Sequence, residues 1–304
     1  MSSTLTRALD SDFLYSFRRS PVAIASTFVV VVCVGAAALA SAISPYNPFD
    51  LASLDLMDSF IPPAGLPEGS TAHWLGTDNQ GRDLLSAMLY GARISLVIGL
   101  SAVVFSAIVG ILVGLTAGYL GGVVDSALMR VADVQLTFPA ILIALLVDGV
   151  VSVALPSNLH EALQAYVLIF AIGIARWPQF ARTVRGSTMV ERGRDYVLAA
   201  RVIGLSGPRI VLTHILPNVW GPVLVIATIN IGLSILDEAT LSFLGVGLPA
   251  TKPSLGTLIR VGNDYLYSGE WWITIFPGVM LAMMVLAINL LGDWLRDALN
   301  PRLK

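Results

Sequence analysis

Four stretches of this chain, residues 20–49, 94–124, 215–236 and 271–292, contain no charged side chain. Each is long enough to cross a hydrocarbon layer about 30 Å thick, which takes about 20 helical residues. Nothing else in the sequence constrains the fold as strongly. In lipid every backbone N–H and C=O must be satisfied within the protein, so such runs are helices and not open sheets. Charged residues make up 12% of the 304, against about 25% in an average soluble domain. The chain reads as an all-α, multi-pass membrane protein.

Two further apolar segments carry interior charges, Asp148 in one and Arg176 in the other. Together the six expected helices fall at 21–43, 94–118, 131–153, 163–181, 219–244 and 271–292. The first is too long for a signal-peptide core and reads as a retained helix. The single cysteine, Cys33, lies within it, so the chain has no internal disulfide framework.

Basic residues orient these helices. With the N-terminus inside, Arg7, Arg18, Arg19, Arg130, Arg176, Arg182, Arg185, Arg192, Arg194, Arg201, Arg209, Arg296, Arg302 and Lys304 are cytoplasmic. Only Arg82, Arg93, Lys252 and Arg260 fall outside, a marked positive-inside bias. The resulting plan is a cytoplasmic N-terminus (1–20), a first transmembrane helix (21–43) and an extracytoplasmic loop (44–93). A five-helix core (94–292) follows, with a cytoplasmic loop at 182–218, and then a cytoplasmic C-terminus (293–304).

Small residues recur at every fourth position of the second helix: Ala102, Ser106, Gly110, Gly114 and Gly118. That spacing lets two helix backbones approach closely in a membrane. It suits packing within the chain or against another subunit. In the fifth helix Asp237 and Glu238 are intramembrane acids, which face protein or water and not lipid. Lining a translocation path and bonding at a subunit interface both fit them. Asn289 is a third such candidate, although with Asp293 it also suits the end and cap of the last helix. Asp148 reads as snorkelling outward. Asp78, Arg82 and Asp83 suit a local ion-pair network, worth little if exposed. His73, His160 and His214 read as residues of separate loops.

The most informative polar stretch is "YVLAARVIGLSGPRIVLTHILPN", beginning at Tyr196. Asp195 suits the cap of a short helix, and a carboxylate there also favours the positive helix start. Tyr196, Ala199, Ala200 and Ile203 share one side, with Arg194 and Arg201 on another. Gly204 supplies a stop. Ser206 and Pro208 suit the start of a second helix, with Val211, Leu212, Ile215 and Val219 as its apolar stripe. Pro217 is expected to kink it where the next span begins. Such a helix–turn–helix fits either an interfacial anchor or a docking element for a partner.

The stretch resembles the EAA loop of ABC importer permeases, through Ala199, Ala200, Gly204, Ile215, Leu216 and Pro217. Leu198 stands where that pattern has glutamate. Peptide-importer relatives instead carry an upstream acid-Tyr-Val, matched by Asp195, Tyr196 and Val197. Segments 73–96 ("HWLGTDNQGRDLLSAMLYGARISL"), 117–139 ("AGYLGGVVDSALMRVADVQLTFP"), 239–258 ("ATLSFLGVGLPATKPSLGTL") and 289–303 ("NLLGDWLRDALNPRL") are similar to one branch. That branch is the second permease subunit of dipeptide, oligopeptide and nickel importers. Leu255 replaces its usual Trp, and Asn300 its usual Asp.

The resemblance implies a type I ABC importer permease fold and a non-catalytic subunit importing di- or oligopeptides across the cell membrane. A nickel chelate or another small solute is the alternative. It implies that Asp195, Tyr196, Val197, Ala199, Ala200, Arg201, Gly204 and Pro217 belong to the coupling element seated in an ATPase cleft. The implied partners are a homologous second permease, two cytoplasmic ATPase subunits or domains, an extracytoplasmic peptide-binding protein and membrane lipid, with no nucleic acid. No cofactor is expected in this chain. It lacks a Gly-x-x-x-x-Gly-Lys-Ser/Thr phosphate loop, so ATP and magnesium belong to the partner ATPases. A self-contained secondary transporter would show repeated broken helices, which the sequence does not. A membrane enzyme would need an assembled motif, and the three histidines form none.

Overall fold

A computed structural model describes residues 12–49 and 55–299. In chain order its helices are α1 (Asp12–Arg19), α2 (Pro21–Ala38), α3 (Ala40–Ile43), α4 (Leu84–Leu120), α5 (Gly122–Leu136) and α6 (Ala140–Ala154). They continue as α7 (Ser157–Arg192), α8 (Asp195–Val202), α9 (Gly207–Ile210), α10 (Leu216–Phe243), α11 (Leu255–Tyr265) and α12 (Trp272–Leu299). Among the described residues only isolated bridges, Ala64 with Leu66 and Thr77 with Asp83, interrupt the all-α character. Arg7, Asp50, Asn300, Arg302 and Lys304 lie outside the described residues.

Four stretches are long and apolar enough to cross a membrane: Pro21–Ala38, Leu84–Leu120, Gly207–Phe243 and Trp272–Ala298. Each overlaps one of the four uncharged runs, and the helix expected at 21–43 ends at Ala38 before the short α3. The span expected at 131–153 is instead two helices, α5 and α6, bent by 93°; counted as one, they make a fifth. Pro139 at the N-cap of α6 explains the bend, because proline lacks an N–H and pushes the residue before it out of helical geometry. The helix expected at 163–181 is part of α7, which continues to Arg192. The loop expected to start at 182 therefore starts after 192. Arg182 and Arg185 lie within this helix and pair with Asp133 and Asp125 of α5, each at 2.5 Å. The outer loop likewise ends early, at the start of α4. Asn289 and Asp293 lie inside α12 and do not close it.

Contacts divide the chain into two compact units, residues 98–237 and the remainder. Within 98–237, α7 packs along α5 and α6. The small-residue stripe of α4 faces α7. An added Cβ at Gly114 would stand 2.6 Å from the Ala181 carbonyl oxygen, and one at Gly118 would stand 2.7 Å from Thr188 Cβ. Ser106 Oγ donates to the Ala102 carbonyl at 2.8 Å and to the Gly173 carbonyl at 3.0 Å. The stripe is thus internal packing, with Trp177 and Ala181 buried against Ala117, Met129 and Ala132.

In the other unit α12 packs along both α2 and α11. Ser20 caps α2, its hydroxyl accepting from Ala23 N at 3.2 Å, with Pro21 at the first position. Phe17 of α1 meets Trp294 edge-on at 5.1 Å. The 55–83 loop is tied down by Trp272, whose Nε1 donates to the Thr77 carbonyl at 3.1 Å.

Gly114→Val should cost about 1–3 kcal/mol by overpacking, because the nearest obstacle is backbone that cannot swing aside. Thermal unfolding of the detergent-solubilised chain measures it, and an unchanged midpoint would contradict the close approach of α4 and α7.

Candidate functional site

The elbow between α7 and α10 is built on an apolar floor. Leu115 of α4 and Val184 of α7 form a cluster with Ile210, Ile215, Val219 and Val223, and α8 drops Val197 and Ala200 into it. The face predicted from Tyr196, Ala199, Ala200 and Ile203 is therefore split. Ala200 turns inward, while the outward apolar surface is Leu198, Val202 and Ile203, the last two 87% and 75% exposed. Ala199 and Arg201 are exposed beside them.

The ends of α8 follow local rules with one correction. Asp195 is the first helical residue, and Arg194 occupies the N-cap without a side-chain cap bond. Asp195 still places negative charge in the first turn, where the helix dipole favours it. At the other end Gly204 has φ +83°, a left-handed conformation that favours glycine. There Leu205 N returns to the Ala200 carbonyl at 3.1 Å and Gly204 N to the Arg201 carbonyl at 3.0 Å. Arg201 lies 5.4 Å from the Tyr119 ring centroid, a cation–π contact to the end of α4.

Pro217 does not break the following helix, since 207–243 runs on as one apolar stretch. The turn before it widens into a π-helix, Val211–Ile215. A proline ring clashes with the carbonyl four residues back, here Thr213, and the wide turn gives that carbonyl room. Ser206 occupies the N-cap of α9 but makes no side-chain cap bond.

Tyr196 is the polar centre of the elbow. Its hydroxyl donates to Glu191 and accepts from Asn218 Nδ2 at 3.2 Å. Desolvation, and then the bond to Glu191 and its charge, push the phenol up to about 12, so it remains a donor across the neutral range.

The intramembrane candidates separate into two settings. Arg176, expected in a cytoplasmic segment, is buried in α7 and pairs with Asp237 at 2.6 Å. Its Nη1 also reaches Asn230 Oδ1 at 3.4 Å. Glu238 is fully buried, with Ser242 Oγ donating to its Oε1 at 2.7 Å and the hydroxyls of Ser95 and Ser254 beside it. Adjacent in sequence, the two acids serve different pairings. Asp148 is buried in α6 instead of reaching outward, and Asn289 is half-buried in α12.

The 55–83 loop holds Asp78, Arg82 and Asp83 inside, while Asp55 and Glu68 are exposed. Arg82, 1% exposed, donates to Asp78 Oδ2 and to the Ala250 carbonyl, each at 2.6 Å. Asp83 accepts from Ser86 Oγ at 2.6 Å and faces His73 Nδ1 at 3.1 Å. This network is buried, so the expectation for an exposed cluster does not apply. Of the other histidines, His160 lies in α7 and His214 in the π-turn, not in loops.

The description "binding-protein-dependent transport system inner membrane component" matches residues 110–304. A second, "N-terminal TM domain of oligopeptide transport permease C", matches residues 11–63. This chain belongs to the binding-protein-dependent transport permeases. The dipeptide transport system permease protein of Escherichia coli K12 is 40% identical over 294 residues, 96% of this chain and 93% of that one. The corresponding Haemophilus influenzae protein is 36% identical, covering 96% and 95%. The di/tripeptide permease protein of Pseudomonas aeruginosa is 38% identical, covering 96% and 92%. The permease fold itself matches a chain of the inward-facing methionine ABC transporter, at TM-score 0.53 and 21% identity. That match covers 70% of this chain and 96% of that one.

The permease is thus a multi-pass component of an inner-membrane transport system. Sequence reasoning missed the Arg176–Asp237 pairing, although two opposite charges inside neighbouring apolar segments were the available signal. It also missed Glu191, Asn218 and His214 around Tyr196, which no motif marks.

Removing one member of the pair leaves the other buried and uncompensated. Asp237→Ala should destabilise the permease by about 3–5 kcal/mol, whereas an Arg176→Met/Asp237→Leu double variant recovers most of it. Thermal unfolding in nanodiscs separates the two, and equal losses in both would contradict the pairing.

Proposed function

We propose that this permease moves di- or oligopeptides inward across the cytoplasmic membrane, using ATP hydrolysed by separate subunits. Its relatives' names support the substrate class. One structural observation carries the coupling role. A short helix outside the apolar spans buries one face in the chain's own core and leaves Leu198, Val202 and Ile203 uncovered. A monomer gains nothing from such exposure, but an amphipathic helix entering a groove does. Burying an aliphatic side chain of this size contributes about 1.5–3 kcal/mol.

On this reading Asp195, Tyr196, Val197, Ala199, Ala200, Arg201, Gly204 and Pro217 form the coupling element. Their contributions differ. Val197 and Ala200 hold α8 to the membrane helices, Gly204 sets the turn, Pro217 shapes the start of α10, and the outward residues meet the ATPase. Both termini and the elbow are cytoplasmic, as the distribution of arginines supports. ATP and magnesium reside in the partner subunits. A second permease completes the pathway and an extracytoplasmic binding protein delivers the peptide. Asp237, Glu238 and Asn289 remain candidates for the path or the subunit interface, with Asp237 held by Arg176.

Val202→Asp should leave membrane insertion unchanged, because surface substitutions shift stability by only about 0.5 kcal/mol. Co-purification of the ATPase should fall, and full retention would contradict the docking face. Gly204→Val forces a β-branched residue into a left-handed backbone, a strain of about 1–3 kcal/mol. Peptide uptake per ATP hydrolysed in proteoliposomes should drop with it. Uptake by the chain without ATPase subunits would overturn the whole reading.

A further inference from the structure

The hydroxyl of Tyr196 joins three elements. It donates to Glu191 in the last turn of α7 and accepts from Asn218 in the first turn of α10. Asn218 is itself fixed, its Nδ2 donating to the His214 carbonyl at 2.7 Å. The Tyr196 ring lies nearly parallel to His214, with interplanar angle 20° and centroids 6.4 Å apart. On the opposite side α8 rests on the chain through Val197 and Ala200, in apolar contacts that have no preferred direction, and Arg201 adds a cation–π contact to Tyr119 at the end of α4. Hydrogen bonds are directional, and one to a charged acceptor is about twice as strong as a neutral one.

We propose that Tyr196 is a positioning residue that transmits displacement of α8 jointly to α7 and α10, through Glu191 and Asn218. The inference rests on the reading of α8 as the coupling helix and deepens it. In that assignment Tyr196 works inward, on the permease, while Leu198, Val202 and Ile203 work outward. A push on α8 that only slid over the apolar floor would be lost. The phenol converts it into movement of two long helices at once. Neither Glu191 nor Asn218 needs to touch the ATPase for this.

Tyr196→Phe removes the hydroxyl and keeps the ring that stacks on His214. In the complete importer in proteoliposomes, uptake per ATP hydrolysed should fall about tenfold, the scale of one lost hydrogen bond to a charged group. ATPase retention on the complex should stay at the wild-type level, which a docking role would not allow. Glu191→Gln should show a loss of the same kind, and the Tyr196→Phe/Glu191→Gln double variant should be no worse than Tyr196→Phe alone. A wild-type ratio in Tyr196→Phe, or a multiplicative loss in the double variant, overturns the inference. If Tyr196→Phe does not assemble, the ratio in Glu191→Gln decides alone. Val202→Asp is the control for the underlying reading. If it retains the ATPase, the coupling assignment itself falls; if it sheds the ATPase while Tyr196→Phe couples normally, only the role of Tyr196 falls.

Discussion

The close approach of α4 and α7 supports everything built at the elbow. Gly110, Gly114 and Gly118 have no side chains to hold the backbones apart, so Phe180, Ala181, Val184 and Thr188 pack directly onto α4. That contact brings Val184 beside Leu115, and these two make the floor onto which Val197 and Ala200 fall. The inner face of α8 is thereby committed, and its outer face, Leu198, Val202 and Ile203, is left uncovered. Helix association in lipid lacks the hydrophobic drive available in water, so small residues at four-residue spacing supply the packing that other residues could not.

Much of this was legible in the sequence, and several of the exceptions share a cause. Uncharged runs mark α2, α4, α10 and α12 because nothing else explains so many consecutive apolar residues. The positive φ at Gly204 also follows from residue type alone. Several failures come from charges read one at a time, and others from prolines and caps whose effect depends on the neighbouring turn. Arg176, Arg182 and Arg185 look like a chain leaving the membrane, but all three lie within one continuous α7, each meeting an acid some fifty to sixty positions away. Pairing is a tertiary fact that a linear scan of hydropathy does not contain. The same limit hid the split face of α8, since helical spacing alone does not say which neighbour covers which side.

The two neighbouring acids of α10 show how burial is made tolerable in two ways. Asp237 has a full counter-charge in Arg176, while Glu238 is surrounded by hydroxyls from Ser95, Ser242 and Ser254. A charge paired with a charge fixes two helices against each other. A carboxyl among serines fits only if the surrounding helices supply those hydroxyls in the right places. Both arrangements make α10 intolerant of axial rotation, although its composition is mostly featureless aliphatic.

The Arg176–Asp237 pair has a consequence for biosynthesis. The two residues are 61 positions apart, so at about 5–20 residues per second the arginine exists for roughly three to twelve seconds before its partner is made. During that interval α7 holds an uncompensated guanidinium that lipid would reject. The counter-charge that compensates Arg176 is therefore made only with a later helix, so the packing of α7 is completed by α10 and not by its own segment alone.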